Sequence, residues 1–492
     1  MKLRTVLGAI TLSSFLTLVG CMDVTYEDGE KAAYQEEDYA KAKEIWVSLA
    51  NNSGNDRAMY SLYELYRRRP DIVSYEEAYA WLQRAADAGR PDAEYEYGLF
   101  LIEHGRFELA YNYIDKAAVW KEERAINYLE HYDKIREIRL KSEEGDPEAM
   151  YKYAAWLLTQ NEEKLKEEGT DWVRKSAMAG NANGQALYGT LFFEKKDYNV
   201  ARTWFDKAVL QGNDVADYYL GIMKIQGLSG TRRVAQGLDH LKKAADKGNT
   251  LACFELGRMY LNGDKNANIQ ENLPEAVEYI GKAASENMIE AQYLLATLYE
   301  NGIGVKVDYR RAMELYRLAA SHDHIGAESK LGQLYLTKGD STQIEEGIQW
   351  LNKAIVEGDD AEAKTFLAYA YSQGIGVKKN YDKAYYWYRE AADVDVAIAQ
   401  FNLGVMIANG RADGGPDIIK ATYWIEQAAY NDFKDAILAY AMLFEKGFGV
   451  EKDEKRARFW LDRIKGYDTP AKRQSISNLL NFDYFSKIYR KK

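Results

Sequence analysis

Few residues of this chain could carry chemistry, since five histidines (His104, His131, His240, His322 and His324) and two cysteines (Cys21 and Cys253) are its whole stock of imidazoles and thiols. Two imidazoles stand close only in His322-Asp323-His324, and a metal needs further ligands converging from elsewhere, so the motif by itself specifies no metal site. Paired acids such as Glu36-Glu37 and Glu167-Glu168 are sequence neighbours, and adjacent residues on a helix do not face one another. No Gly-x-Ser-x-Gly, His-Glu-x-x-His or phosphate-loop pattern occurs, and the acids alternate with bases as on solvated helix faces. Neither catalysis nor a cofactor is expected. Cys253, among Leu251, Phe254 and Leu256, reads as a small buried apolar side chain.

Cys21 is different. Residues 1–20 place two cations, Lys2 and Arg4, before an apolar and small-residue stretch, Val6 to Val19, the pattern of a secretory signal and too short for a comfortable membrane span. Leu18-Val19-Gly20-Cys21 resembles the bacterial lipobox, which implies cleavage before the cysteine and lipidation of its sulfur. Each buried methylene of an acyl chain contributes about 0.8 kcal/mol, so two or three chains hold a protein firmly. Met22, and not Asp, follows the cysteine, and by the same resemblance this favours the outer membrane, with the chain facing the periplasm. With Cys21 consumed, no intramolecular disulfide is available, and the fold must stand on packing.

The elements that would do that packing announce themselves by repetition. Ala291 opens AQYLLATLYENGIGV, and steps of 36 residues reach Ala327, Ala363 and Ala399, followed by Ala436. Backwards lie Ala252, Ala216, Gly184, Ala149, Ala125, Ala93 and Ala58, with spacings of 35, 32, 24, 35, 32, 36 and 39 from Ala58 to Ala291. A second pattern follows in each unit: Ala276 to Ala284, Ala312 to Ala320, Ala384 to Ala392 and Ala421 to Ala429 flank bulky residues with small ones at helical spacing. Each unit is therefore expected to be two helices that bury their faces only against neighbouring units. Gly302-Ile-Gly304, Gly374-Ile-Gly376 and Gly447-Phe-Gly449 suit helix ends and turns with positive φ.

These motifs, A-x-x-x-L-G-x-L-Y, G-x-G-V and K-A-x-x-W-Y-x-x-A-A, resemble the Sel-like repeat (SLR) family, a relative of the tetratricopeptide repeats. The resemblance implies an all-α fold, a right-handed α-solenoid of about a dozen helix-turn-helix repeats. The expected organisation is a lipoprotein signal peptide at 1–20, a short linker at 21–29, degenerate tetratricopeptide-like repeats at 30–209, SLR repeats at 210–466 and a C-terminal capping helix within 467–492. The short spacing of 24 predicts a kink or a subdomain break around Ala125–Lys141.

A net charge of −11, which becomes −13 once Lys2 and Arg4 are removed with residues 1–20, disfavours nucleic acid as a partner. The 39 tyrosines suit half-buried faces and contact surfaces. Two residues after the first small residue of their repeats stand Tyr60, Tyr95, Tyr151, Tyr218, Phe254, Tyr293 and Phe401, whereas other repeats carry Ser329, Thr365 and Leu438. These seven aromatics are either a contact strip for a partner or inter-helix packing, the commoner use of an aromatic at helical spacing. The resemblance implies a scaffold or adaptor for protein partners in the cell envelope, including exopolysaccharide-export complexes; a carbohydrate-binding accessory lipoprotein is the alternative, and a cell-wall enzyme the least favoured reading.

Overall fold

The computed structural model describes residues 24–160, 162–263, 269–412 and 414–489. Cys21 and the expected signal peptide lie outside the described residues. Within them are 27 α-helices, α1 to α27 in chain order, and no strand. From α8 (Pro147–Leu158) and α9 (Glu163–Met178) to α24 (Lys434–Lys446) and α25 (Glu454–Asp462) they alternate as the first (A) and second (B) helices of successive repeats.

Polar residues at the boundaries start these helices. The side chain of Asp308 accepts from the Arg311 amide at α17 (Tyr309–Ala320), that of Asn380 from Lys383 at α21 (Tyr381–Ala392), and that of Asp453 from Arg456 at α25. Each satisfies an amide that has no partner within its own helix. Three A helices end on Gly302, Gly374 and Gly447, whose φ values of 68°, 80° and 67° are left-handed and tolerated without strain only by glycine.

The Leu-Gly step of the A helix has an equally direct cause. A Cβ on Gly257 would stand 2.5 Å from Ile280, and one on Gly332 would stand 2.6 Å from Leu351. The bulky B-helix residue of the same repeat fills the space the glycine leaves, and no larger residue fits there. Ala276, Ala283, Ala384 and Ala391 are all 0% exposed, so backbones approach closely at both ends of the B helix.

The chain divides into two compact units after Asn213, a few residues beyond the expected boundary at 209/210. Three other expectations need correction. Residues 21–29 are not all linker, because α1 (Tyr26–Tyr34) begins among them with a Thr25/Asp28 capping box. Ala125–Lys141 holds no break: α7 (Glu123–Glu143) is one uninterrupted helix of 21 residues, so the short spacing records a single long helix where a pair would stand. The C-terminal cap is two helices, α26 (Pro470–Leu479) and α27 (Phe482–Tyr489), separated where Asn481 adopts φ 53°. Ile476, Leu480, Phe482 and Phe485 are nearly fully buried beneath them and join the hydrophobic cluster of the last repeats. No described helix is long and apolar enough to cross a membrane.

Candidate interaction surface

The seven aromatics of the expected strip stand two residues after the first small residue of their A helices, and in the other repeats the place is held by residues such as Ser329, Thr365 and Leu438. Six of the seven aromatics, Tyr60, Tyr95, Tyr151, Tyr218, Phe254 and Tyr293, are half-buried, whereas Phe401 is buried at 4% exposure. Phe401 therefore offers no free face. Its ring packs on Phe433 at 5.4 Å, the residue that precedes the next A helix.

The other rings show why. Arg90, the N-cap of α5 (Pro91–Glu103), lies over the Tyr60 ring at 5.0 Å, and Arg124, at the start of α7, lies over Tyr95 at 4.9 Å. His324, the N-cap of α18 (Ile325–Lys338), stacks on Tyr293 with centroids 4.5 Å apart. In each case the aromatic of one repeat is covered on one side by a residue at the start of the next A helix. Where the repeat carries Ser329 instead, its hydroxyl donates to Asp360 at 2.7 Å, again the N-cap of the next A helix. Tyr60, Tyr95 and Tyr293 are thus rungs joining repeats, each with part of its ring still exposed. Burial pushes the hydroxyl pKa of Tyr60 and of Tyr218 up to about 12, so both are neutral donors at physiological pH. Within unit 2, Arg258 lies over Phe254 at 5.8 Å.

One column of residues escaped notice in the sequence. Directly after the small residue stand Glu94, Gln185, Asp217, Gln292, Glu328, Lys364 and Gln400, all buried despite being polar. Gln185, Gln292 and Gln400 each donate to the carbonyl of an alanine eight residues earlier, Ala177, Ala284 and Ala392, capping the end of the preceding B helix. Cys253 occupies the same place opposite Ala245. The charged members recruit partners: Asp217 accepts from His240 Nδ1 at 2.9 Å and Lys247 Nζ at 3.0 Å, and Lys364 Nζ meets Asp359 at 2.6 Å. Glu94 keeps one buried oxygen without a hydrogen bond, and burial raises its pKa. The recurrence of a polar side chain at one register of an otherwise apolar face was the signal that could have found this column.

His322-Asp323-His324 does not gather ligands. The His324 side chain caps α18, accepting from the Ala327 amide at 3.1 Å. Asp323 joins Glu328 and Glu357, whose carboxylate oxygens lie within 4.8 Å of one another. The cation they converge on is the ammonium of Lys353, which is 2.7 Å from Asp323, 2.7 Å from Glu328 and 3.6 Å from Glu357. Its three contacts serve the junction between α18 and α19 (Ser341–Gly358).

The Sel1 repeat model matches ten segments: residues 58–89, 147–181, 184–213, 214–249, 250–288, 289–324, 326–359, 361–395, 397–433 and 434–463. The stretch around α7 is not matched. Among curated proteins, the chain is 27% identical over 334 residues to the chitin synthase regulator SKT5 of Saccharomyces cerevisiae, covering 59% of this chain and 47% of that protein. It is 25% identical to the Sel1-repeat-containing protein YjcO of Escherichia coli over 212 residues, covering 41% of this chain and 89% of that one. The chain thus spans about half of the fungal regulator's length. A solved structure, the protective antigen c5321 of uropathogenic Escherichia coli with an SLR fold, is 26% identical, covers 90% of both chains and superposes with a TM-score of 0.54.

Proposed function

The chain belongs to the Sel1-repeat family, and on that premise we propose that it is a scaffold that holds protein partners at the cell envelope, anchored in the outer membrane through an acylated Cys21 and facing the periplasm. The observation that carries this reading is the repeated A-helix face. Repeat after repeat presents a half-exposed ring beside a guanidinium, an imidazole or a polar cap, which is the mixture of aromatic and arginine surface that contributes most to protein contacts. A repeat array displays such a surface over a long stretch without needing a pocket.

The partner class we propose is an envelope or exopolysaccharide-export assembly. The fungal proteins are named as regulators of chitin synthase, so a repeat array attending polysaccharide assembly is the parallel drawn here. Function is argued from this surface and family and not from the helical fold alone, since one fold serves many activities.

The test is crosslinking in intact envelopes, comparing the natural chain with a variant carrying Tyr218→Ala, Phe254→Ala and Tyr293→Ala. Loss of a specific crosslinked partner, with the circular dichroism spectrum and melting of the variant retained, supports the A-helix face as the contact. An unchanged set of partners sends the search to the B helices.

A further inference from the structure

The B helices of the last three repeats carry a second row of aromatics that the A-helix face does not include. Two residues after the first small residue of α21, α23 (Ile418–Tyr430) and α25 stand Tyr386, Tyr423 and Phe459, exposed at 54%, 55% and 61%. In six preceding repeats the same register holds Asp171, Thr203, Asp239, Glu278, Glu314 and Gln349, all exposed. Each ring of the row leans edge-on against its neighbouring tryptophan, Trp387, Trp424 or Trp460, at 4.9, 5.0 and 5.6 Å. The row is therefore held in place, while nothing among the described residues covers its outer side. The three helices are neighbours: Arg389 lies over the Trp424 ring at 5.1 Å, and Tyr430 packs on Trp460 at 5.2 Å.

We propose that this row is the interface between two copies of the chain, related by a two-fold axis through Tyr423 and parallel to α23. The charges around the row select this occupant. Such an axis keeps helix levels and brings α21 of one copy opposite α25 of the other. The second residues of those helices are Asp382 and Lys455, the ninth are Arg389 and Asp462, and the tenth positions are Glu390 and Arg463. All three pairs are of opposite sign. Arg389 and Arg463 also serve Asp393 and Asp432 within their own chain, and Asp382 and Lys455 are the pair most free to meet across the axis. The like-charged third residues, Lys383 and Arg456, turn back over Tyr371 and Phe444 of their own repeats.

A row of three at one register on successive B helices can pair with itself about its middle member, the requirement for an isologous contact. Chain-wide charge opposes self-association at −11, but residues 378–465 carry fourteen cations and fourteen anions, so the repulsion vanishes where the aromatics stand.

The test places a thiol on the axis of the full chain. Under mild oxidation Tyr423→Cys should yield a disulfide-linked dimer, while Glu314→Cys, at the same register outside the row, should not. Sedimentation of the full chain should give a dimer. Tyr423→Glu, which installs the residue type that other repeats hold there, should give a monomer with an unchanged helical spectrum. Asp382→Lys removes two symmetry-related contacts and should weaken the dimer about a hundredfold at low salt, about tenfold or 1.4 kcal/mol for each opposite-sign contact, and Asp382→Lys with Lys455→Asp should restore it. A monomer at every concentration, equal crosslinking from Glu314→Cys, or a dimer indifferent to Tyr423→Glu overturns the proposal.

Discussion

At the residue scale, the repeats are joined by a few polar and aromatic side chains at fixed registers. The buried glutamines spend an amide on a helix-end carbonyl that would otherwise be orphaned, and a buried carbonyl without a partner costs about 1–3 kcal/mol. Glu94 is the exception, a carboxyl in the same column with one unpartnered oxygen. Its folded pKa is raised, chiefly by burial and against the attraction of Lys116. The folded state thus prefers the protonated acid, so the site is neutral to stability below the unfolded carboxyl range and loses stability as pH rises from there through the raised folded pKa. Glu94→Gln should accordingly stabilise the chain at pH 7 by about 1 kcal/mol, and the gain should shrink toward pH 4. Thermal melts across that range check it, and a gain that grows in acid contradicts the assignment. Taken singly, Glu94, Gln292 and Lys364 look like any solvated polar residues in the sequence, and only their recurrence at one register of an apolar face marks the column.

At the scale of the element, small residues decide where helices touch. Ala391→Leu should overpack a closed contact and cost about 1–3 kcal/mol, read as a lower melting temperature; natural melting would remove Ala391 from the inter-helix contact. The terminal elements face a different demand, because the last repeat has no neighbour to cover it. Phe482 is 2% exposed, with its ring 5.4 Å from Phe448. Phe482→Ala should cost about 3–5 kcal/mol of local stability and release α26 and α27 before the repeats, so amide exchange there should accelerate while α22 (Ala397–Ala408) stays protected. Uniform protection would show that the cap contributes nothing. The helix pairs were legible because their periodicity is dictated by burial. The break of the cap at Asn481 was not, since the apolar residues on both sides keep a helical spacing straight through it.

At the scale of the molecule, the chain is an array in two compact units, and its interactions are those of surfaces and ends. Its proposed anchor rests on Cys21, and Cys21→Ala should move the protein from the membrane fraction to the soluble periplasmic fraction. Retention in the membrane would remove the lipid anchor from the reading of function. The two units also predict that residues 214–492, with their own repeats and cap, unfold in a single helical transition when expressed alone; a fragment without a cooperative melt would show that the first unit is required for the second.

The sequence by itself determined the repeat, its two helices, the glycine turns and the family, because these follow from steric rules that recur along the chain: small against bulky, and a preference for glycine where φ is positive. It also supplied all seven aromatics of the A-helix register. What touches Tyr60, Tyr95, Tyr293 and Phe401 was visible only in the tertiary structure, where Arg90, Arg124, His324 and Phe433 arrive from the next repeat. The same holds for the row Tyr386, Tyr423 and Phe459, whose exposure depends on what the neighbouring helices leave uncovered. Periodicity records which face of a helix is buried, but the identity of the group that buries it is a property of the stacked repeats.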